Sequence, residues 1–489
     1  MSVPATGPAT GPAIGPATDL ETLALRVLLG AFAGTTLPDD QRELLADGLG
    51  GICLFGSNTA DGPRALAELT AAIRAASPRA VIAVDEEGGD VTRLHASGLS
   101  PVPGAAVLGA VDDLVLTQDV GRAVGAELAA SGITLDLGPV ADVNTNPDNP
   151  VIGTRSFGAE PDLVARHVVA WARGLQESGV AACVKHFPGH GDTAVDSHLA
   201  LPTLDADRDT LAHRELMPFE AAVTSGVAAV MTSHIVVPVV DPGAPATLSA
   251  PVLDLLRDQV GFQGVIVSDA LDMAGASAGR GIPETAVQAL ISGVDLLCLG
   301  PDRSAASVRD VQSAIVAAVG AGRLTRSRLE DAVARIEAMA DALARPAPYA
   351  IDAERLVAAA RRALVIEGEV PDLTDAWVLS VATEANIAVG DVPWGLSPDG
   401  VLDPGAAAAP DAALPGRGAL VVQVRDAHRR PEVGELLRRV QESRRPAVVV
   451  EWGWPGPHEV GLPRICTHGV SGPGVRAVRA LLREKGWTR

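Results

Sequence analysis

From about residue 23 onward the chain repeats one pattern: a short run rich in Val, Ile and Leu, then a longer Ala-rich stretch with helical character. The apolar runs fall at 27–33, 51–55, 80–84, 133–137, 180–185, 228–232, 264–268 and 294–299, with helix-like segments at 62–76, 114–131, 161–178, 207–225 and 283–292. A strand with one face in water alternates apolar and polar residues. These runs do not alternate, so each must be covered on both faces, which is the condition of a parallel sheet flanked by helices. Eight strand–helix units over about 320 residues predict an α/β fold of the (β/α)8 TIM type rather than an open doubly wound sheet.

The pattern breaks at Arg345-Pro-Ala-Pro-Tyr349 and resumes with fewer elements. Strands are expected near 377–382, 420–424, 447–451 and 465–468, helices at 436–442 and 475–483, and a long mobile loop at 403–417. The expected organisation is a disordered leader at 1–22, a catalytic barrel at 23–345 and a smaller α/β/α sandwich at 346–489. The leader, MSVPATGPATGPAIGPATDL, can bury no face and lacks the basic segment and apolar core of a secretory signal, so the cytoplasm is the expected compartment. No run approaches the roughly 18 consecutive apolar residues of a membrane span. With 39 Lys plus Arg against 60 Asp plus Glu, the net charge of −21 repels phosphate backbones and anionic lipid. Neither nucleic acid nor a membrane surface is expected as a partner. Cys53, Cys183, Cys298 and Cys466 lie far apart in apolar runs and are expected to be buried, reduced thiols.

A barrel of this kind builds its active site from the loops at the C-terminal strand ends. Polar residues gather there: Asp85-Glu86-Glu87-Gly88-Gly89 and Arg93 after the third run, Asp136, Asp142, Asn144 and Arg155 after the fourth, Lys185-His186 after the fifth, Ser233-His234 after the sixth and Ser268-Asp269 after the seventh. The sharpest segment is KHFPGHGDTAVDSH, Lys185 to His198, which holds three of the chain's 10 histidines and breaks any helix with Pro and Gly. Two chemistries fit it. His186, His190 and Asp192 are of the types that ligate a divalent metal. Alternatively Asp196 and His198, two apart on a loop, form a carboxylate–imidazole pair in which Asp196 orients and raises the basicity of a general acid/base. Spacing alone does not choose between them.

The 14-residue run, together with VDEEGGDVTRL (Val84–Leu94), NPVIGTRSFG (Asn149–Gly158) and VSDALDM (Val267–Met273), resembles glycoside hydrolase family 3. The likeness is to its β-N-acetylglucosaminidase branch, the NagZ-type enzymes that recycle cell-wall sugars. It covers about 23–345, and the second domain is similar, without a signature, to the C-terminal domain of two-domain members. The resemblance implies that Asp269 is the nucleophile, which forms a covalent glycosyl-enzyme. It implies His198 as acid/base with Asp196 as its dyad partner, and Asp85, Arg93, Arg155, Lys185 and His186 as the residues that hold the sugar's hydroxyl and acetamido groups. The implied activity is a retaining exo-β-N-acetylglucosaminidase acting on cell-wall muropeptides or chito-oligosaccharides, with a carbohydrate as its small-molecule partner and with no cofactor and no metal. Retention needs a carboxylate nucleophile and a second proton-transfer group, and an imidazole with an ordinary pKa of about 6.5 can both give and take a proton at neutral pH.

Plainer roles stand beside these. Asp269 alone could cap the helix that follows it, Arg93 and Arg155 could be salt-bridge residues, His190 shapes its loop, His234 lines the pocket floor or packs in the barrel, and Asp272 tethers the loop of Asp269. Gly275-Ala-Ser277-Ala-Gly279 fits a serine-hydrolase pattern but starts six residues past Asp269, away from the strand-to-helix turn that such a nucleophile needs. Glu86 stands where many family members have Gln, and Asp90 is also unusual; both are expected to add negative charge near the sugar-binding carboxylate. Aromatic residues make up only 3% of the chain, with Trp171 the sole tryptophan before 345. A long polysaccharide cleft needs stacking platforms, so a pocket for one terminal sugar is expected. Four other readings remain at this level: a phosphorylase in which phosphate competes with water, another β-glycosidase of the family, a metal-dependent hydrolase and a non-catalytic carbohydrate-binding protein. The second domain completes the pocket, mediates dimerisation or only stabilises the barrel, and Trp452 and Trp454 fit either an interface or a core.

Overall fold

The computed structural model describes residues 19–197, 201–277, 279–345, 347–383, 386–390, 392–404, 414 and 418–488. The leader up to residue 18, most of the 403–417 loop, His198, and the side chain of Ser277 in the serine-hydrolase-like run lie outside the described residues.

Eight strands form one parallel sheet: β1 (Leu28–Gly30), β2 (Gly51–Leu54), β3 (Val81–Val84), β4 (Leu135–Asp136), β5 (Ala181–Phe187), β6 (Ala229–Thr232), β7 (Val265–Ser268) and β8 (Leu297–Cys298). Their order is β7-β6-β5-β4-β3-β2-β1-β8, and a parallel bridge between Val267 and Leu296 joins the two ends into a barrel. Every residue of these strands is buried, as the unbroken apolar runs require. Helices such as Gly62–Ala76, Leu114–Ala130, Pro161–Glu177 and Ile282–Ser292 cover the outside. Leu114–Ala130 starts where the Asp113 carboxylate accepts the Leu116 N–H at 3.1 Å. It packs closely on Pro161–Glu177 because the facing positions are Gly121, Gly125 and Gly174: a Cβ on Gly121 would collide with the Trp171 carbonyl. The single helix expected at 207–225 is instead broken into Arg208–Thr210, a π-helical turn Leu211–Glu215 and Met217–Thr224.

Beyond the barrel a second sheet holds β9 (Val365–Glu367), β10 (Trp377–Val381), β11 (Gly400–Leu402), β12 (Leu420–Val424), β13 (Ala447–Glu451) and β14 (Arg464–Cys466). The order is β9-β14-β13-β12-β10-β11, parallel throughout except for β9 against β14. Separate apolar clusters on its two faces pack beneath helices Pro431–Glu442 and Gly472–Glu484. The sequence pattern misses β9 and β11. Both are three-residue edge strands with no fully buried residue, so neither carries the apolar run that marks the central strands. All four cysteines are free and buried, and burial pushes the Cys466 thiol up to about 12. Among the described residues no helix is long and apolar enough to cross a membrane.

Candidate active site

The C-terminal ends of the barrel strands open into a cavity of about 430 Å³. Asp85, Arg93, Arg155, Lys185, His186 and Asp269 all line it, so six of the eight residues singled out in the sequence meet at one place. Asp196 lines a neighbouring cavity, while the next residue, Ser197, lines the first; the histidine loop therefore runs along the rim between the two.

The floor is an ion-pair network. Lys185 leaves β5 fully buried, with its Nζ 2.6 Å from Asp85 Oδ1 and 2.7 Å from Glu87 Oε1. Glu87 also accepts both arms of Arg155, at 2.9 Å from Nε and 2.8 Å from Nη2. Burial opposes the ionisation of Glu87, but the Arg155 and Lys185 cations overcome it and hold the carboxyl well below the usual carboxylate range. For the same reason Lys185 stays firmly protonated: burial works against its charge, and Asp85 and Glu87 outweigh it. In the sequence Glu87 is only one member of a polar cluster. Its role depends on the hairpin of Glu86–Gly88 with Val91–Thr92, which turns it inward.

His186 is oriented by Asp142, which in the sequence is one of several polar residues at the strand ends. The buried Asp142 accepts His186 Nδ1 at 2.7 Å and the backbone N–H groups of His186 and His190 at 3.2 and 2.7 Å. A carboxylate only accepts, so Nδ1 donates to Asp142, and Nε2 lies 3.4 Å from Arg155 Nη2. Burial raises the cost of charging Asp142, yet His186 and these donors bring its pKa below the ordinary value. His190 is buried with Nδ1 on Thr193 Oγ1 (2.6 Å) and Nε2 on Ser197 Oγ (3.1 Å), and burial pulls its pKa down to about 4. It is a neutral strut of the loop. Asp192 is held by Arg214 at 2.7 Å and by Thr145 at 2.9 Å. The His186, His190 and Asp192 side chains proposed above as a metal set are thus each engaged with other partners, and among the described residues no cluster of metal-ligating side chains occurs.

Asp269 follows β7, half-buried, its backbone N–H bonded to Thr232 O at 3.2 Å. Its Oδ1 accepts the Ala270 N–H at 2.8 Å. His234 is buried between Thr247 Oγ1 and the Ala270 carbonyl, both at 3.0 Å, so it packs behind the Asp269 loop. Asp272 pairs with Arg303 at 2.6 Å and fastens the loop to β8's outgoing segment.

Glu86 and Asp90 do not act as the sequence suggested. Glu86 turns from the cavity to accept the N–H groups of Arg93 and Leu94 at 2.8 and 3.0 Å. Asp90 pairs with Arg425 and accepts Thr154 Oγ1 at 2.8 Å. Neither lines the pocket, because the tight Glu86–Thr92 hairpin sends alternate side chains to opposite sides.

The second domain completes the wall. Ile387 and Ala388 line the cavity, and Arg93 Nη2 donates to the Ala388 carbonyl at 2.8 Å. Asn386 donates to Pro150 O at 2.8 Å, and Arg429 donates to Asn149 O at 3.0 Å. Trp452 is core, its Nε1 on Gln423 at 3.0 Å, whereas Trp454 lies against Gly153 of the barrel.

Residues 24–339 match the glycosyl hydrolase family 3 N-terminal domain. Over 332 residues the chain is 35% identical to "Beta-hexosaminidase A" of Pseudoalteromonas piscicida, covering 62% of this chain and only 55% of that protein's length. The structure of a glycoside hydrolase family 3 β-N-acetylglucosaminidase from Paenibacillus sp. str. FPU-7 superposes with a TM-score of 0.84 at 30% identity, covering 96% of this chain and 97% of that one. NagZ from Neisseria gonorrhoeae, in complex with N-trifluoroacetyl-D-glucosamine, is 33% identical with a TM-score of 0.53 and covers 64% of this chain and 98% of its own.

Proposed function

The chain belongs to glycosyl hydrolase family 3, and on that premise we propose that it is a retaining exo-β-N-acetylglucosaminidase that releases terminal N-acetylglucosamine from cell-wall muropeptides or chito-oligosaccharides. The observation that carries the reading is the convergence of Asp269 with Asp85, Arg93, Arg155, Lys185 and His186 on one pocket at the strand ends. Asp269 attacks the anomeric carbon as His198, paired with Asp196, gives a proton to the leaving oxygen; a covalent glycosyl-enzyme results. His198 then takes a proton from water, whose oxygen attacks the same carbon and frees Asp269. Arg155 and Lys185, held by Glu87 and Asp85, offer rigid charge-assisted donors to the sugar. Lys185, His186 and Arg155 are locked by buried partners before substrate arrives, and so act without reorganisation.

The pocket's size, at the lower end of the roughly 300–1,000 Å³ of ligand cavities, and the presence of only Phe55 as a non-histidine aromatic in its described lining support removal of one terminal sugar. All four thiols are free, in keeping with a reducing compartment, and we place the enzyme in the cytoplasm; fractionation against a cytoplasmic marker tests this.

Initial rates on aryl β-N-acetylglucosaminide and aryl β-glucoside, with and without inorganic phosphate and EDTA, test the reaction alongside Asp269→Asn. The expected result is release from the N-acetyl substrate that ignores chelator, yields free sugar rather than glycosyl phosphate, and is lost in the variant. Activity that vanishes with EDTA, or survives in Asp269→Asn, refutes the proposal.

A further inference from the structure

The wall of the pocket carries two thiols that the hydrolytic reading does not use. Cys53 and Cys298 both line the cavity, and they are 1% and 4% exposed. They come from β2 and β8, which do not pair because β1 runs between them. The register nevertheless brings them together. Leu29 of β1 is paired with Cys298 on one side and with Gly51 on the other, so Cys53 stands two residues further along β2. In an eight-stranded barrel of shear eight the level climbs one residue per strand, and each interior layer is filled from alternate strands. Two strands across and two residues along is therefore the step between neighbours of one layer. The thiols do meet: a hydrogen bond to Cys298 and, after it, burial raise the Cys53 thiol well above the ordinary range.

Two thiols in contact can form a disulfide or share a metal ion, and the backbone decides between these. Neighbouring strands lie about 4.8 Å apart, so the Cα atoms of Cys53 and Cys298, two strands and two residues removed, stand roughly 10 Å from each other. A disulfide needs Cα atoms within about 7 Å. An ion between the sulfurs relaxes that limit, since two metal–thiolate bonds of about 2.3 Å in line hold the sulfurs about 4.6 Å apart. Among the described residues no third His, Cys, Asp or Glu joins the pair, so a tetrahedral zinc site is short of ligands. Linear coordination by two soft sulfur donors remains. A dication suits it best, because two thiolates cancel its charge and a buried site favours a neutral complex.

We propose that Cys53 and Cys298 form a two-coordinate site for a thiophilic dication of the mercuric class, and that the bound ion, set in the pocket wall, keeps the sugar out. Each sulfur forms one bond to the ion and gives its proton to solvent, so one M2+ and two R–SH give M(SR)2 and two H+. No oxidant takes part. The hydrolytic reading assigns these thiols no role; here they make a reaction that needs no metal sensitive to one class of metal ion.

Equilibrium dialysis of the full-length chain against mercuric chloride tests the site, with methylmercuric chloride as a probe that forms only one bond to sulfur. Wild type is expected to hold one mercuric ion there with release of two protons, and that ion removes two methylmercury sites. Cys53→Ser, Cys298→Ser and the double variant each bind it at least about 100-fold more weakly, because the second bond is lost. The double variant loses no more than either single one, while Cys183 and Cys466 give the same background in all four proteins. Losses that add in the double variant overturn the proposal, as does a Cys53–Cys298 disulfide found by mass spectrometry in air-oxidised protein. The methylmercury count on wild type decides even where a variant fails to fold. Turnover of aryl β-N-acetylglucosaminide should fall in proportion to the ion bound and return with dithiothreitol, and saturating N-acetylglucosamine should slow uptake. Full activity with the ion in place overturns the exclusion of sugar. A chain silent on that substrate before any ion is added refutes the glycosidase reading instead, and dialysis still judges the site.

Discussion

Glu87→Gln is the most revealing single change outside the reacting groups. Glu87 is buried and joins Arg155, through two bonds of 2.8 and 2.9 Å, to Lys185, at 2.7 Å. The amide keeps the shape but removes the charge and turns one acceptor into a donor that faces cations. Removing one partner of a buried ion pair costs about 3–5 kcal/mol, because the remaining charge is left uncompensated. Asp85 still neutralises Lys185, so the loss falls mainly on Arg155. For a barrel of about 320 residues, an unfolding entropy of roughly 2.1 cal/mol/K per residue gives about 0.7 kcal/mol per degree, so the melting temperature is expected to fall by about 4–7 °C. KM for the N-acetyl substrate should rise as Arg155 and Lys185 lose their fixed positions. The pH dependence follows from the direction of the shift. Because folding lowers the Glu87 pKa from its ordinary 4.5, its stabilisation is fully present above about pH 4.5 and is lost as pH falls towards the folded value. Thermal melts of both proteins from pH 4 to 8 check this: the gap should be constant at the alkaline side and begin to close at the acid end. A variant that melts within about 1 °C of wild type with unchanged kcat/KM would refute the account of the pocket floor.

Gly191→Ala places a Cβ against the Val143 carbonyl at the root of the histidine loop, where only backbone can yield. The loop must shift, and a fall in kcat/KM of more than about tenfold is expected with secondary structure intact by circular dichroism; wild-type kinetics would show that the loop tolerates displacement. Glu215, buried beside Arg214 on the π-helical turn, has its carboxyl pushed up to about 7 by burial, with Arg214 opposing. The native state thus holds a proton that the unfolded state releases from about pH 4.5, so this group's contribution to stability declines as pH rises towards 7. Glu215→Gln cannot titrate, and the wild-type melting temperature should fall relative to it between pH 5 and 7.5; a constant difference contradicts the assignment.

Periodicity made the barrel legible because burial on both faces leaves a strand no freedom of composition. Val81–Val84 is apolar in every position that the sheet encloses, Val265–Ser268 in all but its last, and the helix Gly62–Ala76 has the bounds that its spacing suggests. Where burial is partial the signal fades. The edge strands Val365–Glu367 and Gly400–Leu402 left no mark, and the π-helical turn at Leu211–Glu215 looked like unbroken helix because its extra residue per turn is invisible to composition.

The residues of the candidate site were visible because charged side chains at strand ends have no structural reason to be there in such number. The sequence by itself therefore determined the fold class, the end of the barrel where chemistry gathers and the residues Asp85, Arg93, Arg155, Lys185, His186 and Asp269 that line the pocket. It did not determine who holds them. Asp142 beneath His186 and Glu87 between Arg155 and Lys185 are partners across 44, 68 and 98 residues of chain, chosen by the closure of the barrel and by a short hairpin. The same hairpin turns Glu86 and Asp90 away, although they are the immediate neighbours of residues that turn in. Only the tertiary structure brought Ile387, Ala388 and Arg429 to the barrel mouth. A residue's chemistry is written in its type, but its partner is set by where the backbone carries it, and contacts between domains have no period for a sequence to display.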